Sequence, residues 1–354
     1  MEKSYYFILF FILGVLSSLV INKLILNFSE SLGIRNKNDV MIRWSNSSRP
    51  SLGGIAIFIS FLSAIIAYLI FTPTLNLFSQ KEFVCFFVSA TLGFLMGLAD
   101  DAYNTQPILK LLIQIACGLL ISYGGTTINV SNFDEVNTFL TVFWVVVLMN
   151  SLNMLDNMDG ITTTAALFIL STCFIFNLLF QVETNPVWNL ILLTCIGSLI
   201  GFLCFNFPPA KMFMGDSGSQ FIGLICAFFS IKFLWGVQSV SPGIPLWVVV
   251  ITVMVCFTSP FIDTLSVIIN RLRKKTSPFI GGKDHTTHHL VYAGYNERSV
   301  FLIFVLIGFI SMLLCVFYFI IPQKFVPWST ILMLIWLVLA FYFLYQKTIK
   351  YAQK

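Results

Sequence analysis

Long apolar runs separated by short polar connections make up nearly the whole chain, and most of the runs are close to 20 residues long. A helix needs about 20 apolar residues to cross the hydrocarbon core of a bilayer. The pattern therefore predicts spans near 5–26, 53–71, 83–99, 108–123, 138–153, 161–181, 187–205, 218–236, 244–269, 299–321 and 327–346. This describes an all-α integral membrane protein, a polytopic bundle of about 10–11 transmembrane helices. The first run, Tyr5 to Leu26, is too long for the apolar core of a signal peptide, and no small-x-small cleavage site follows it. It is read as the first span.

Composition supports the same class. Of 354 residues, 58% are hydrophobic and only 10% charged, where a soluble domain carries roughly 25% charged residues. The 38 phenylalanines are expected on lipid-facing surfaces. Eight cysteines are spread singly through the apolar runs, without a CxxC pair, and read as buried small hydrophobes rather than a disulfide framework or zinc site.

The net charge of +5 matters less than its distribution. Alternate connections carry Arg35, Lys37, Arg43 and Arg49, then Lys110, Lys211, and Arg271, Arg273, Lys274, Lys275, Lys283 and Arg298; the tail adds Lys347, Lys350 and Lys354. The opposite side has Lys3, Lys81 and Lys324, a ratio of 15 to 3, with Lys23 and Lys232 inside spans. By the positive-inside rule the N-terminus is outside and the C-terminus cytoplasmic.

Four polar islands interrupt the apolar pattern, and this threading puts all of them on the cytoplasmic face: Asp100-Asp101, Asn150 to Gly160, Met214 to Ser219, and Asp284 to His289. The segment Arg49-Pro50-Ser51-Leu52-Gly53-Gly54 falls on the same face. Structural polar groups would scatter between both faces, whereas ionisable groups gathered at one face point to a site. The adjacent carboxylates of Asp100 and Asp101 repel, so both stay ionised only beside a cation or several donors. Asp216 sits in a Gly-Asp-Ser-Gly-Ser turn just before the eighth predicted span, a setting suited to phosphate and to Mg²⁺ bound through one or two carboxylates; a plain helix cap is the alternative. Asn150 and Asn153 share a helix face, and Asp156 and Asp159 continue that spacing. Mixed amides and carboxylates suit a metal, a sugar or a nucleobase, with interhelical bonding as the alternative. All three histidines, His285, His288 and His289, lie beside Arg271, Arg273, Lys274, Lys275 and Lys283 and read as an anion-binding loop; zinc lacks a nearby Cys or fourth ligand. Asp263 is expected buried and paired. Lys110 either reaches a phosphate or snorkels to the interface.

With those motifs assembled, the chain resembles the polyprenyl-phosphate N-acetylhexosamine-1-phosphate transferases, the WecA-like branch of the MraY superfamily. Gly97-Leu98-Ala99-Asp100-Asp101 is similar to the paired-aspartate motif, Lys110 to Gln114 to the following Lys-containing helix start, and Asn150 to Gly160 to the Asn-rich DGxDG motif. Phe213 to Ser219 matches the magnesium-aspartate motif; Asp263, Arg271, Ser277-Pro278-Phe279 and the histidines follow the long last cytoplasmic loop. Three departures stand out. Asn157 replaces the first glycine of DGxDG, Thr286-Thr287-His288-His289 stands where His-x-His-His is usual, and the Lys that often follows the aspartates in the MraY branch is absent.

The resemblance implies one polytopic transferase domain over 1–354, its site built from cytoplasmic loops near 43–54, 99–110, 150–160, 206–219 and 270–298. It implies transfer of N-acetylhexosamine-1-phosphate, GlcNAc-1-phosphate by default, from a UDP-sugar to undecaprenyl phosphate with release of UMP, initiating a cell-envelope polysaccharide. It also implies a multi-pass protein of the bacterial cytoplasmic membrane among membrane lipids, with no nucleic-acid partner; a homodimer is compatible with it. By the same resemblance Asp100, Asp101, Asp156 and Asp159 are catalytic, and Asn150, Asn153, Lys110, His285, His288 and His289 bind substrate. Asp216 holds Mg²⁺, with Asp101 and Asp156 as further candidates and Mn²⁺ as an alternative ion. The lipid phosphate is mostly dianionic at neutral pH and needs little activation. Direct attack, with Asp100 orienting or deprotonating it, is therefore favoured over a covalent aspartyl intermediate. The competing readings are a transporter with a carboxylate relay, which would place such groups near the midplane, often in repeated halves, and an inactive scaffold in envelope assembly.

Overall fold

The computed structural model describes residues 2–28, 49–72, 76–277, 282–321 and 326–351. Arg35, Lys37, Arg43, Lys324, Lys354 and Pro278-Phe279 lie outside them. The helices are α1 (Glu2–Phe28), α2 (Gly53–Phe71), α3 (Lys81–Tyr103), α4 (Pro107–Gly124), α5 (Asp134–Leu155), α6 (Ile161–Phe180) and α7 (Pro186–Asn206). There follow α8 (Gly215–Phe229), α9 (Val237–Val240), α10 (Leu246–Cys256), α11 (Thr258–Arg273), α12 (Thr286–Tyr292), α13 (Glu297–Ile320) and α14 (Val326–Lys350). Among the described residues 10 helices are long and apolar enough to span, or 11 if α10 and α11 form one broken span.

Two expectations are corrected. The run 244–269 is not one straight crossing: α10 and α11 meet at 80° about Phe257. The Val253 and Val255 carbonyls still hold the Phe257 N–H there, so the break leaves that donor satisfied. The phenylalanines are not mainly lipid-facing. Phe10, Phe61, Phe83, Phe86, Phe176 and Phe202 are among the largest fully buried side chains, and Phe58 stacks on Phe94 at 4.0 Å between centroids. Lipid is as apolar as leucine, so a membrane core gains from close aromatic packing rather than from burial as such. Small residues serve the same end where α1 lies along α7: a Cβ on Gly197 would fall 2.3 Å from the Phe11 carbonyl oxygen.

Up-and-down threading collects the N-termini of α2, α4, α6, α8 and α13 and the C-termini of α3, α5, α7, α11 and α14 at one end of the bundle. Seven of the eight cysteines are buried. At the opposite end lies a charged cluster. Past α8 the helix widens to π geometry over Ser230–Trp235 and carries Lys232, whose side chain is 9% exposed. Its ammonium pairs with Glu82 at 2.8 Å and Glu183 at 2.6 Å and lies 4.7 Å from the Trp188 ring centroid. Thr126 donates to Glu82. A lysine this deep is retained only because it is paired. Replacing it with methionine leaves two carboxylates without their cation, which costs on the order of 2 kcal/mol after allowing for the partly exposed glutamates. Lys232→Met is therefore expected to lower the melting temperature of the detergent-solubilised protein clearly, and an unchanged melting temperature would refute this role.

Candidate active site

The paired aspartates end α3, and the structure gives them different tasks. Asp100, 3% exposed, accepts from the Thr105 N–H and hydroxyl, both at 2.9 Å, through Oδ1. Its Oδ2 pairs with Lys110 of α4. Asp101, expected to act as a catalytic or metal-binding carboxylate, receives the peptide N–H of Asp216 at 3.0 Å and of Ser217 at 2.9 Å. It thus satisfies two of the donors that a helix start leaves open, where a negative charge is favoured. Asp216 lies inside the first turn of α8 rather than before it. Its carboxylate accepts from Asn153 Nδ2 at 2.9 Å, and the same amide reaches Ser219 Oγ at 2.8 Å. The Asp100 and Asp216 carboxyls are themselves in hydrogen-bond contact.

The backbone is compressed around this turn. Gly53 and Gly54 donate to the Phe213 and Met214 carbonyls, and Phe213 to Pro50, so that segment 50–54 is laced to the connection leading into α8. A Cβ on Gly97 would stand 2.2 Å from the Asp216 carbonyl oxygen, and one on Gly54 2.2 Å from the Gly218 nitrogen. These contacts are to backbone, which cannot step aside.

The Asn150–Gly160 island does not act as one face. Asn150 exchanges hydrogen bonds with Gln114 of α4, which also donates to Gln220 of α8 at 3.1 Å. Of the two asparagines, only Asn153 touches Asp216. Asp156 is half-buried at the end of α5. Asp159 turns away: it pairs with Arg49 at 3.2 Å and accepts from the Ala210 N–H at 2.7 Å. The structure thus gives it the job of tying two connections together.

The histidine loop forms a second cluster, joined to the first through α5. Ser151 bonds to the Pro260 carbonyl and the Thr264 hydroxyl of α11. On that helix Asp263, wholly buried, holds His285 Nδ1 at 2.8 Å and the Thr286 N–H and hydroxyl at 2.8 and 2.6 Å. This fixes the start of α12. Arg271 grips Asp284 with two bonds of 2.7 Å. Burial alone would raise the Asp284 pKa, but the guanidinium outweighs it and holds the carboxyl below its ordinary range. His289 Nδ1 meets the Tyr351 carbonyl just beyond α14 at 3.0 Å.

Of the histidines read as part of an anion-binding loop, two are held neutral. Burial, reinforced by the His285 charge, pushes His288 down to about 3, and burial also lowers His289. At neutral pH they offer hydrogen bonds, not charge, to an anion. Residues given no role in the sequence reading are Gln220, whose only signal is its place in an apolar run, Asn157, Thr286 and Thr287, which lie inside the polar islands, and Tyr351, which carries no pattern signal.

The acidic cluster fits a hard cation. Two buried carboxyls in contact, with a third close by, call for a shared proton or a bound cation. Among the described residues no three His, Cys, Asp or Glu side chains converge on one point. The protein would thus contribute Asp100 and Asp216 and leave the remaining positions to phosphate and water, the usual arrangement for Mg²⁺.

The profile described as glycosyl transferase family 4 matches residues 83–234. A protein named probable undecaprenyl-phosphate N-acetylglucosaminyl 1-phosphate transferase, from Bacillus subtilis (strain 168), is 28% identical over 319 residues, 87% of this chain and 84% of its own. A decaprenyl-phosphate N-acetylglucosaminephosphotransferase from Mycolicibacterium smegmatis is 28% identical over 74% of this chain and 70% of its own. A phospho-N-acetylmuramoyl-pentapeptide-transferase from Campylobacter jejuni is 29% identical over 75% and 79%. The chain is thus similar over roughly three quarters or more of its length to enzymes named as polyprenyl-phosphate and muramoyl-pentapeptide phosphotransferases.

Two predictions follow from the geometry. Gly97→Ala displaces the first turn of α8 and is expected to cut activity at least tenfold while the protein still folds; near-normal turnover would show that the close approach is dispensable. For His288 the folded pKa lies below the unfolded value of about 6.5, so between those values the unfolded chain binds the extra proton. Stability therefore falls as pH drops through that window. Melting curves at pH 7 and pH 5 should show a smaller acid loss in His288→Asn than in the wild type.

Proposed function

We propose that this chain transfers GlcNAc-1-phosphate from UDP-GlcNAc to a polyprenyl phosphate, undecaprenyl phosphate in a bacterial membrane, with release of UMP. The carrying observation is the Asp100–Asp216 contact at the start of α8, with Lys110 on one side and Asn153 on the other. The names of the relatives support the donor and acceptor classes. The site is read as facing the cytoplasm, where nucleotide sugars are found and where the lysine and arginine bias puts this end of the bundle.

One oxygen of the lipid phosphate attacks the β-phosphorus of the nucleotide sugar. The new P–O bond forms as the bond to the bridging oxygen of UMP breaks, and UMP leaves with that electron pair. The protein's work is to hold two polyanions in line and to offset their charge. Lys110, kept at the site by Asp100, faces the lipid phosphate. Asn153 orients Asp216, and Asp101 holds the turn that carries it. Neutral His288 and His289 give hydrogen bonds to the donor, while Arg271 spends its charge on Asp284. Mg²⁺ on Asp100 and Asp216, or Mn²⁺ in its place, would act as a Lewis acid on the diphosphate oxygens. Direct attack is favoured because the lipid phosphate is mostly dianionic at neutral pH and needs little activation, and because Asp101 has both oxygens committed to peptide N–H groups. A relay across the membrane would place carboxylates along the bundle, whereas these gather at one end.

The test is UMP release by the purified protein with undecaprenyl phosphate and a panel of UDP-sugars, with Mg²⁺ or EDTA. Release should require both substrates, stop with EDTA, and fall at least about 10³-fold in Asp216→Asn. Folded protein that releases no UMP from any sugar would overturn the assignment. Asp159→Asn should retain far more turnover than Asp216→Asn but melt at lower temperature.

A further inference from the structure

The acidic cluster and the histidine loop are also joined by a side-chain hydrogen bond that the reaction scheme does not use. Asn157 follows Asp156 in the turn closing α5, and its Nδ2 donates to the Met154 carbonyl at 2.8 Å. That bond fixes the amide with Oδ1 available as an acceptor. The hydroxyl of Thr287, wholly buried in α12, donates to this oxygen at 2.5 Å. The Asn157 backbone also faces the His288 ring. The bond therefore connects the residue next to Asp156 with the residue next to His288.

Helix α12 is only seven residues long, too short to hold itself in place. Its position depends on tethers: Asp263 at its start, the Tyr351 carbonyl at His289, and Asn157 at Thr287. The first and second join it to α11 and α14. The third joins it to the turn that leads out of α5, whose Asn153 holds Asp216. Breaking it leaves a buried amide oxygen or hydroxyl without its partner, which destabilises that arrangement and not merely one contact.

We propose that Asn157 and Thr287 form a positioning pair for the nucleotide-sugar donor: a clasp that sets the separation between the histidine loop and the acidic cluster. The inference rests on the transfer reaction proposed above. Asn157 lies in the turn after α5 and Thr287 in the short α12, both outside the spanning helices; His288 and His289 beside Thr287 are the groups assigned above to the donor, so the clasp acts on the donor and not on the lipid acceptor held beside Lys110.

The experiment is a double-mutant cycle with Asn157→Gly, Thr287→Val and the pair, read as UMP release under varied UDP-GlcNAc and, separately, varied undecaprenyl phosphate. Each single variant should raise the donor KM about tenfold and leave the acceptor KM within about twofold. The double variant should be no worse than either single. Thr287→Ser, which keeps the hydroxyl, should recover most of the loss. Melting curves accompany each variant, and Asn157→Ala replaces Asn157→Gly if the glycine variant does not fold. Additive losses, equal rises in both KM values, or no rescue by serine would overturn the clasp. A wild-type protein that releases no UMP would overturn the functional reading and remove the premise of the clasp; active wild type with unaffected variants would overturn the clasp alone.

Discussion

Asp101 gives both carboxylate oxygens to the first peptide N–H groups of α8, and the remaining geometry of the site follows from that attachment. It fixes the end of α3 against the beginning of α8, so the next residue back, Asp100, meets Asp216 side chain to side chain. The contact is possible only because Gly97 and Gly54 let two backbones approach this turn to distances that exclude a Cβ. Segment 50–54, α2, α3 and α8 therefore form a single rigid seat. The carboxylate that receives the peptide N–H groups of α8 and the carboxylate that pairs with Lys110 are adjacent in sequence and differ in the direction each faces from the helix.

Around this seat the polar groups are arranged in tiers. Lys110 and Asn153 touch the two acidic side chains directly. Gln114, Gln220 and Asn150 form an amide network one turn deeper, where every member has a partner and none adds net charge. The histidine loop is carried by the broken α10–α11 pair, and the break is what brings Asp263 beneath it. Neutral His288 and His289 are the consequence of enclosure: these two rings are uncharged beside the Arg271–Asp284 fork.

The number of spans, their approximate positions and the gathering of polar islands at one end were readable from hydropathy, because a bilayer imposes length and composition on each crossing. The 80° bend was not, since Val253 to Phe257 is as apolar as a straight helix would be. Asp100, Asn153, Asp216 and Asp263 were readable as residues that an apolar setting does not tolerate without cause. Their division of labour was not. Spacing places Asp156 and Asp159 on one continuing pattern, but α5 ends at Leu155 and Asp156 already leaves helical geometry (ψ 46°), and Asp159 goes to Arg49. Histidine protonation could not be read either, because it depends on burial by helices far apart in the chain. Nor could the phenylalanines be assigned to lipid or core from count alone.

The Lys232 cluster at the far end bears on how the protein comes to be in the membrane at all. Glu82 and Glu183 both precede Lys232 in the chain, so both carboxylates have been synthesised before the lysine emerges. An ammonium entering the bilayer alone faces a steep cost; one entering beside α3 and the α6–α7 connection meets its counter-charges at once. Insertion of α8 is in this way tied to the prior arrival of its neighbours. The same helix that brings Asp216 to one surface carries, at its other end, a lysine whose counter-charges are both synthesised before it.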